Sequence, residues 1–454
     1  MLKTMRLGVL LRRGSLGVAT GIIAGLLLFF LFAMANRASL GRDLPLAETH
    51  VRQAFATAAL QNEDWLVGNT DIGRHQYNDC LILYMAIDQQ APASQLAVSP
   101  IKPVQRTDET MCGALRAYAF GDHTAGRTGL FYHQYIHGHT MLARYLLPLA
   151  SVEQIRTAYH LTQSLLVIAG ILIAMAALAR GAALARGQRT TENLVWLIIF
   201  LALSRWFGLE SYGQSLSHAP SDAIILAYLL FLGTASARGG LGRRASLIAA
   251  ALFGAATAIF EFLTGGIPFG LAIIIGGLPF ALRDTPPHEI AEQVVEALGA
   301  FCAAVATCMA LKLLLALSVF GLESFRESAS QLGVRLGMGE QQPDLGPIKL
   351  AKSLVKGLNS LAAGMHVLAG AMLAAAIGFG AWSARVLFAS GNPTLRARAV
   401  HLLLSNLAIV AMLGLLWQHT AIHAWFMDRL FVWTIASGFA LFAMAIIQRR
   451  HAAP

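Results

Sequence analysis

Residues 418 to 429 read Gln-His-Thr-Ala-Ile-His-Ala-Trp-Phe-Met-Asp-Arg, and apolar runs at 400 to 418 and 430 to 448 lie on either side. Each flank is long enough to carry a helix across roughly 30 Å of hydrocarbon. Two His, one Asp and one Arg between such runs are more than an anchor needs, because ionisable groups at membrane depth are costly and mark functional sites.

The same alternation extends through the chain. Of 454 residues, 56% are apolar and 13% charged, and the apolar ones fall into runs near 16 to 35, 161 to 180, 193 to 209, 222 to 238, 245 to 263, 266 to 283, 294 to 319, 361 to 388, 400 to 418 and 430 to 448. This predicts an all-α polytopic membrane protein with about ten transmembrane helices, a single transmembrane domain spanning 1 to 454. Two large extracytoplasmic loops are expected, 36 to 160 and 320 to 360.

Orientation follows from Lys and Arg, which resist translocation when they flank a span. Lys3, Arg6, Arg12 and Arg13 precede the first run; Arg180, Arg186 and Arg189 follow the second; Arg238, Arg243 and Arg244 follow the fourth; Arg283, Arg396, Arg398, Arg449 and Arg450 continue the series. The connections 210 to 221 and 264 to 265 carry neither Lys nor Arg. Both termini are therefore expected in the cytoplasm. The net charge of +10 reads as a topology signal, with no nucleic-acid partner. Ala33-Met34-Ala35 resembles a signal-peptide cleavage site, but the run before it exceeds the usual h-region of about 7 to 15 residues, so an uncleaved first helix is expected.

Within the first loop, Leu46, Val51, Phe55 and Ala58 near its start and Leu149, Val152, Ile155 and Tyr159 near its end form amphipathic stretches suited to the membrane interface. In the second, Lys349, Lys352 and Lys356 share one face of a basic helix over 348 to 358, which suits either lipid phosphate or simple snorkelling. Cys80 and Cys112 both fall in the first loop, where an oxidising compartment favours a disulfide; Cys302 and Cys308 lie inside a span as small apolar residues.

Several residues could carry chemistry. Asp79, just before the apolar run 81 to 85, reads either as a helix N-cap or as a carboxylate base near the membrane surface, with Asp43 a weaker rival. Tyr132 to His139 combines aromatic rings with His133, His137 and His139, followed by Arg144 and Pro148; an aromatic belt explains the Tyr residues but not the three His. Glu261 sits among apolar residues at the outer end of the fifth span, and Lys312 within the seventh, so the two either pair or Lys312 meets an anionic ligand. His419 and His423 stand one helical turn apart before Arg429. No His-Glu-x-x-His pattern accompanies them, so no metal site is assigned, and hydrogen bonding to a phosphate or sugar fits better. Glu210, Ser211, Tyr212 and Gln214 form a further polar group on the same side, readable as a plain loop. No Walker-type phosphate loop is present.

Tyr132 to Pro148, Phe260 to Pro279, Lys312, and His419 to Arg429 resemble blocks of a family of little-characterised bacterial polytopic proteins that are in turn similar to GT-C-type glycosyltransferases. Gln134, Ile136 and Glu261 depart from the pattern, which has Arg, Trp and Asp there. The resemblance implies a GT-C-like enzyme of the bacterial inner membrane whose active face is periplasmic. Its donor would be a polyprenyl-phosphate-linked sugar and its acceptor an envelope glycan or protein. In that scheme Asp79 takes the acceptor proton and Glu261 holds sugar hydroxyls or orients His137. His137, Arg144, Lys312, His419, His423 and Arg429 bind the donor phosphate or sugar. Neither a cofactor nor a divalent metal is specified. A lipid-linked glycan polymerase or ligase would use the same outer residues, whereas a transporter or flippase needs ionisable groups along a path through the bilayer, with interrupted helices.

Overall fold

A computed structural model describes residues 7–64, 76–104, 109–121, 129–183, 187–207, 209, 214–261, 265–335, 351–352, 366–423 and 427–452. Long helices dominate. In chain order they are α1 (Leu7–Ser39), α2 (Leu44–Ala56), α3 (Gln76–Ile87), α4 (Ala93–Leu96), α5 (Met111–Ala119), α6 (Gly138–Leu146), α7 (Val152–Ala183), α8 (Gly187–Trp206), α9 (Ala219–Ala237) and α10 (Arg243–Phe260). A broken helix follows: α11 (Gly266–Ala272), a π-helical turn (Ile273–Gly277) and α12 (Leu278–Ala281). Then come α13 (Pro287–Phe320), α14 (Leu322–Arg335), α15 (His366–Phe388), α16 (Pro393–Leu415), α17 (Trp417–Ile422) and α18 (Phe431–Ala452).

Eight helices among the described residues are long and apolar enough to cross a membrane: those within α1, α7, α9, α10, α13, α15, α16 and α18. The chain is therefore a multi-pass membrane protein by the length and composition of its helices. The expectation of about ten is met only in part. The run expected at 193 to 209 lies in α8, which begins earlier, at Gly187, and is not one of the eight. The run expected at 266 to 283 is the broken helix, apolar but short.

Local chemistry explains where the helices start and stop. Asn392 caps α16, its side chain accepting from the amides of Thr394 (3.1 Å) and Leu395 (3.0 Å), with Pro393 in the first turn, where a missing N–H costs nothing. Gly321 closes α13 at φ 75°, a conformation open to glycine, and turns the chain straight into α14. Along α1, Gly17 and Gly21 let the helix backbone approach α13 so closely that a Cβ on either would strike the carbonyls of Glu296 or Ala300. Such small-residue contacts drive helix association where lipid removes the hydrophobic advantage.

The two ends of the bundle differ. At one, guanidinium–carboxylate pairs join the helices: Arg13 with Glu292 (3.0 Å), Arg243 with Glu296 (2.7 Å), and Arg398 with Glu192, Arg398 also donating to the Pro279 carbonyl (3.0 Å). At the other end the described residues between 40 and 151 form a subdomain with its own apolar core. Its two-stranded sheet pairs β1 (Ile101–Pro103) antiparallel to β2 (Gly129–Phe131), Lys102 opposite Leu130. α3 is buried on nearly all sides, so its sequence lacks a polar face, and Cys80 on it is disulfide-bonded to Cys112 on α5 with the Cα atoms 5.1 Å apart. Both amphipathic stretches of this loop differ from the interfacial helices expected. α2 turns Ala47, Val51 and Ala54 into the subdomain core, while residues 152 to 159 are simply the first turns of α7. Protein side chains cover Val51, Val152 and Ile155, while Leu46 and Leu149 stay exposed.

Candidate functional site

A cavity of about 350 Å³ opens where this subdomain meets α10, α11, α13 and α14. Its polar lining includes His133, Gln134, Glu261 and Lys312, with Ser328 and Gln331 on the α14 side, and its apolar wall includes Met309, Leu313, Phe325 and Leu332. Lys312, on α13, and Glu261, just after α10, thus share one chamber although they come from different helices. Among the described residues, Glu261 is the only carboxylate in the lining.

Lys312 is oriented by the subdomain. Its ammonium donates to the Val98 carbonyl and to Ser99 Oγ (3.0 Å), and Ser99 Oγ is 2.9 Å from His133 Nδ1. With its oxygen accepting from Lys312, the Ser99 hydroxyl directs its own hydrogen to His133 Nδ1, which leaves the ring proton on Nε2. Burial, reinforced by the nearby Lys312 and Lys102 charges, pushes the His133 imidazole down to about 4. It is therefore neutral near pH 7. Its ring packs against Phe131 and Phe320, with centroids 6.3 and 4.6 Å away.

His137 and Arg144 lie behind the cavity and are not in its lining. His137 takes φ 66° ahead of α6, and its Nε2 donates to the Tyr132 carbonyl at 2.7 Å. Gly138 beside it packs so tightly on Ile259 and Phe260 that a Cβ would come within 2.7 Å of the Ile259 carbonyl. Burial, then the Lys312 and His139 charges, holds His137 well below the usual imidazole range, and burial takes His139 to about 3. Arg144 donates to Asn36 Oδ1 and to the Met85 carbonyl, each at 3.1 Å, tying α6 to the ends of α1 and α3; burial lowers it to about 10. The donors expected to meet a phosphate are directed into the protein.

Asp79 differs from its expected N-cap position. It lies inside the first turn of α3 with no exposed surface, and its Oδ2 accepts from Arg156 Nε (2.9 Å) and Nη2 (2.6 Å). Its Oδ1 accepts from the Leu216 amide (2.8 Å) and Ser215 Oγ (3.3 Å). Burial pushes this carboxyl above its ordinary range against the opposing pull of Arg156. Both oxygens are occupied, and Asp79 is absent from the cavity lining. Asp43, its rival, sits at φ 33° before α2.

At the far end of the same strip, Asp222 in the first turn of α9 accepts from Arg429 Nη1 at 2.6 Å, and the Arg429 guanidinium lies 5.3 Å from the Phe207 ring centroid. The run Ser215-Leu216-Ser217-His218-Ala219-Pro220-Ser221-Asp222, a turn leading into α9, thus links the partners of Asp79 to the partner of Arg429. Sequence reading passed over it as a connection without Lys or Arg, although four hydroxyl or carboxylate side chains in eight residues before a span were a visible signal. Leu430 packs on Gly265, so Arg429 adjoins the N-cap of α11. His419 and His423 pack with ring planes tilted by 54° and centroids 4.6 Å apart, His419 buried. Among the described residues no group of three or more His, Cys, Asp or Glu forms a metal-sized cluster. Glu210, Ser211 and Tyr212, and Lys349 and Lys356 of the second loop, lie outside the described residues; Lys352 is exposed.

Comparison of the chain with family models, with curated proteins and with solved structures finds no match.

Proposed function

We propose that this chain is a membrane glycosyltransferase that moves a sugar from a polyprenyl-phosphate donor to a hydroxyl acceptor, an envelope glycan or protein, at the end of the bundle carrying residues 40 to 151. The observation that carries the reading is the joint placement of Glu261 and Lys312 in a chamber whose other wall is mainly apolar. An isoprenoid phosphate needs both halves of that lining.

In this reading Glu261 removes the acceptor hydroxyl proton as its oxygen bonds to sugar C1, and the C1–O bond to the lipid phosphate breaks. The leaving phosphate gains negative charge, which Lys312 stabilises in a poorly solvated site. Lys312 arrives pre-oriented by Val98 and Ser99, and the His133 Nε2 proton is available to a phosphate or sugar oxygen. The base is assigned to Glu261 rather than Asp79, whose oxygens are held by Arg156, Leu216 and Ser215. Arg429 acts indirectly, by fixing Asp222 beside the Gly265 turn. In this reading the bundle lies in a bacterial inner membrane with both termini cytoplasmic and the chamber periplasmic, an orientation that the Lys and Arg flanks support.

The test is transfer in proteoliposomes, with radiolabelled polyprenyl-phosphate hexoses and pentoses as donors and envelope extracts of a deletion strain as acceptors. Lys312→Met and Glu261→Gln should each remove incorporation while the protein stays monodisperse. Full incorporation by Lys312→Met would sink the reading. A second reading, a carrier for lipid-linked sugars, is favoured by the π-helical turn within the short apolar helix of residues 266 to 281, since such turns recur at functional sites. It predicts movement of donor between leaflets with no acceptor present.

A further inference from the structure

The chamber is graded along its length. Lys312, His133 and Glu261 are each no more than 7% exposed, whereas Met309, Leu313, Phe325 and Leu332 are 36 to 58% exposed, although one cavity touches them all. Its polar recess is therefore deep in the protein, and its apolar end opens outward between α13 and α14.

Helical periodicity builds that opening. On α13, Lys312 and Ala316 are buried, while Met309 and Leu313, one turn apart, stand at the border of the exposed side that carries Leu314 and Leu317, the side a span turns to lipid. On α14, Leu322, Phe325, Ala329 and Leu332 recur at spacings of three and four, an apolar stripe beside a polar face with Glu323, Glu327 and Ser330. Phe325, Ala329 and Leu332 line the cavity and Leu322 does not. The corner between the two helices is tied to the subdomain, since Phe320 packs on Phe131 and on His133 with ring centroids 4.6 Å apart in each pair. A second tie is electrostatic: burial lowers the Lys102 ammonium on β1, and the charge of Glu327 on α14 opposes that.

An open apolar wall on a membrane helix is covered by lipid, and the recess selects which lipid. An ammonium has three donors; Lys312 directs two at the Val98 carbonyl and Ser99 Oγ, which leaves the third for a ligand oxygen. With the Nε2 proton of His133 in the same recess, these donors suit a phosphate. Glu261 shares the recess, so the selection rests on directed donors and not on net charge. At about 350 Å³ the void is at the small end of ligand sites, which suits a compact head and the start of one chain rather than two acyl chains.

We propose that the slot between α13 and α14 holds the isoprenoid chain of the donor, its phosphate inward at Lys312 and its tail running between Met309, Leu313, Phe325 and Leu332 into the bilayer. The identity of the head rests on the transferase reading. What is added is the route: the donor enters sideways from the membrane and not from the aqueous face.

The experiment is photolabelling of the purified full-length protein in detergent with a diazirine-bearing isoprenyl phosphate that carries no sugar. Adducts located by peptide mass spectrometry are expected on Met309, Leu313, Phe325 or Leu332, saturable, and competed by unlabelled polyprenyl phosphate but not by phosphatidylglycerol. This map is made on the wild type, so no misfolded variant can decide it. Phe325→Asp and Leu332→Asp put a charge in the slot and should each weaken labelling about tenfold or more, whereas Leu322→Asp, on the same helix but outside the lining, leaves it unchanged. Adducts scattered over exposed apolar residues such as Leu165 and Leu314, equal competition by phosphatidylglycerol, or labelling unchanged in both Phe325→Asp and Leu332→Asp would overturn the proposal. Saturable labelling in the slot with no transfer from any polyprenyl-phosphate sugar would count against the transferase reading alone.

Discussion

Arg429 and Asp222, 207 residues apart, form a 2.6 Å ion pair in which neither side chain is more than 2% exposed. The pair joins the start of α9 to the short turn before α18, and so ties the last helix to the strip that also holds Asp79. Breaking it from one side strands a buried charge, at about 3 to 5 kcal/mol. Arg429→Gln and Asp222→Asn should each lower the melting temperature in detergent, while the double variant loses less than the two single losses together. Strict additivity would show that the two residues act independently.

The Asp79–Arg156 pair makes a similar forecast with a different consequence. Asp79→Asn leaves Arg156 without its ionic partner, so the variant should accumulate poorly and be cleaved readily by protease, with a loss of about 3 to 5 kcal/mol. Transfer per folded molecule should be retained. A variant of normal abundance with no turnover would return the base role to Asp79.

Cys80 and Cys112 close a loop of 32 residues, for which the chain-entropy estimate is about 4 kcal/mol. Cys80→Ser or a reducing agent should loosen the subdomain, measured as faster proteolysis between residues 40 and 151, and leave the membrane helices intact. Unchanged proteolysis after confirmed reduction would show that the apolar core alone holds α3 and α5 together.

Protonation of the buried imidazoles gives a pH dependence of stability. His133 is held near 4 and His139 near 3 in the folded protein, against about 6.5 in an unfolded chain. The unfolded chain therefore binds more protons below about pH 6.5, and stability is lost as pH falls through that window toward the folded values. Melting temperatures should drop between pH 7 and pH 5. In His139→Phe the drop should be shallower than in the wild type; parallel curves would remove His139 from the effect.

How far the sequence could be read depends on the range of the interaction concerned. The helices were legible because burying about 20 successive backbone polar groups in lipid demands a local apolar run, and Lys and Arg mark where each run ends. Cys80 and Cys112 were readable as a pair by their location. Asp79 stayed open between a cap and a base because its partners, Arg156 and Leu216, lie 77 and 137 residues away and leave no trace in local spacing. Glu261 and Lys312 were noticed as anomalies, yet only the fold shows that a chamber joins them and that Ser99, 213 residues from Lys312, aims the ammonium. The eight residues from Ser215 to Asp222 were passed over for lack of basic residues, a test suited to topology and blind to hydroxyls.

The ion pairs among Arg13, Arg243, Arg398 and their glutamates rivet α1, α8, α10, α13 and α16 together at the end remote from the chamber. A scaffold fastened at its base and hollow at its crown yields more readily at the crown, so on the proposed reading a lipid head would enter the chamber from that side.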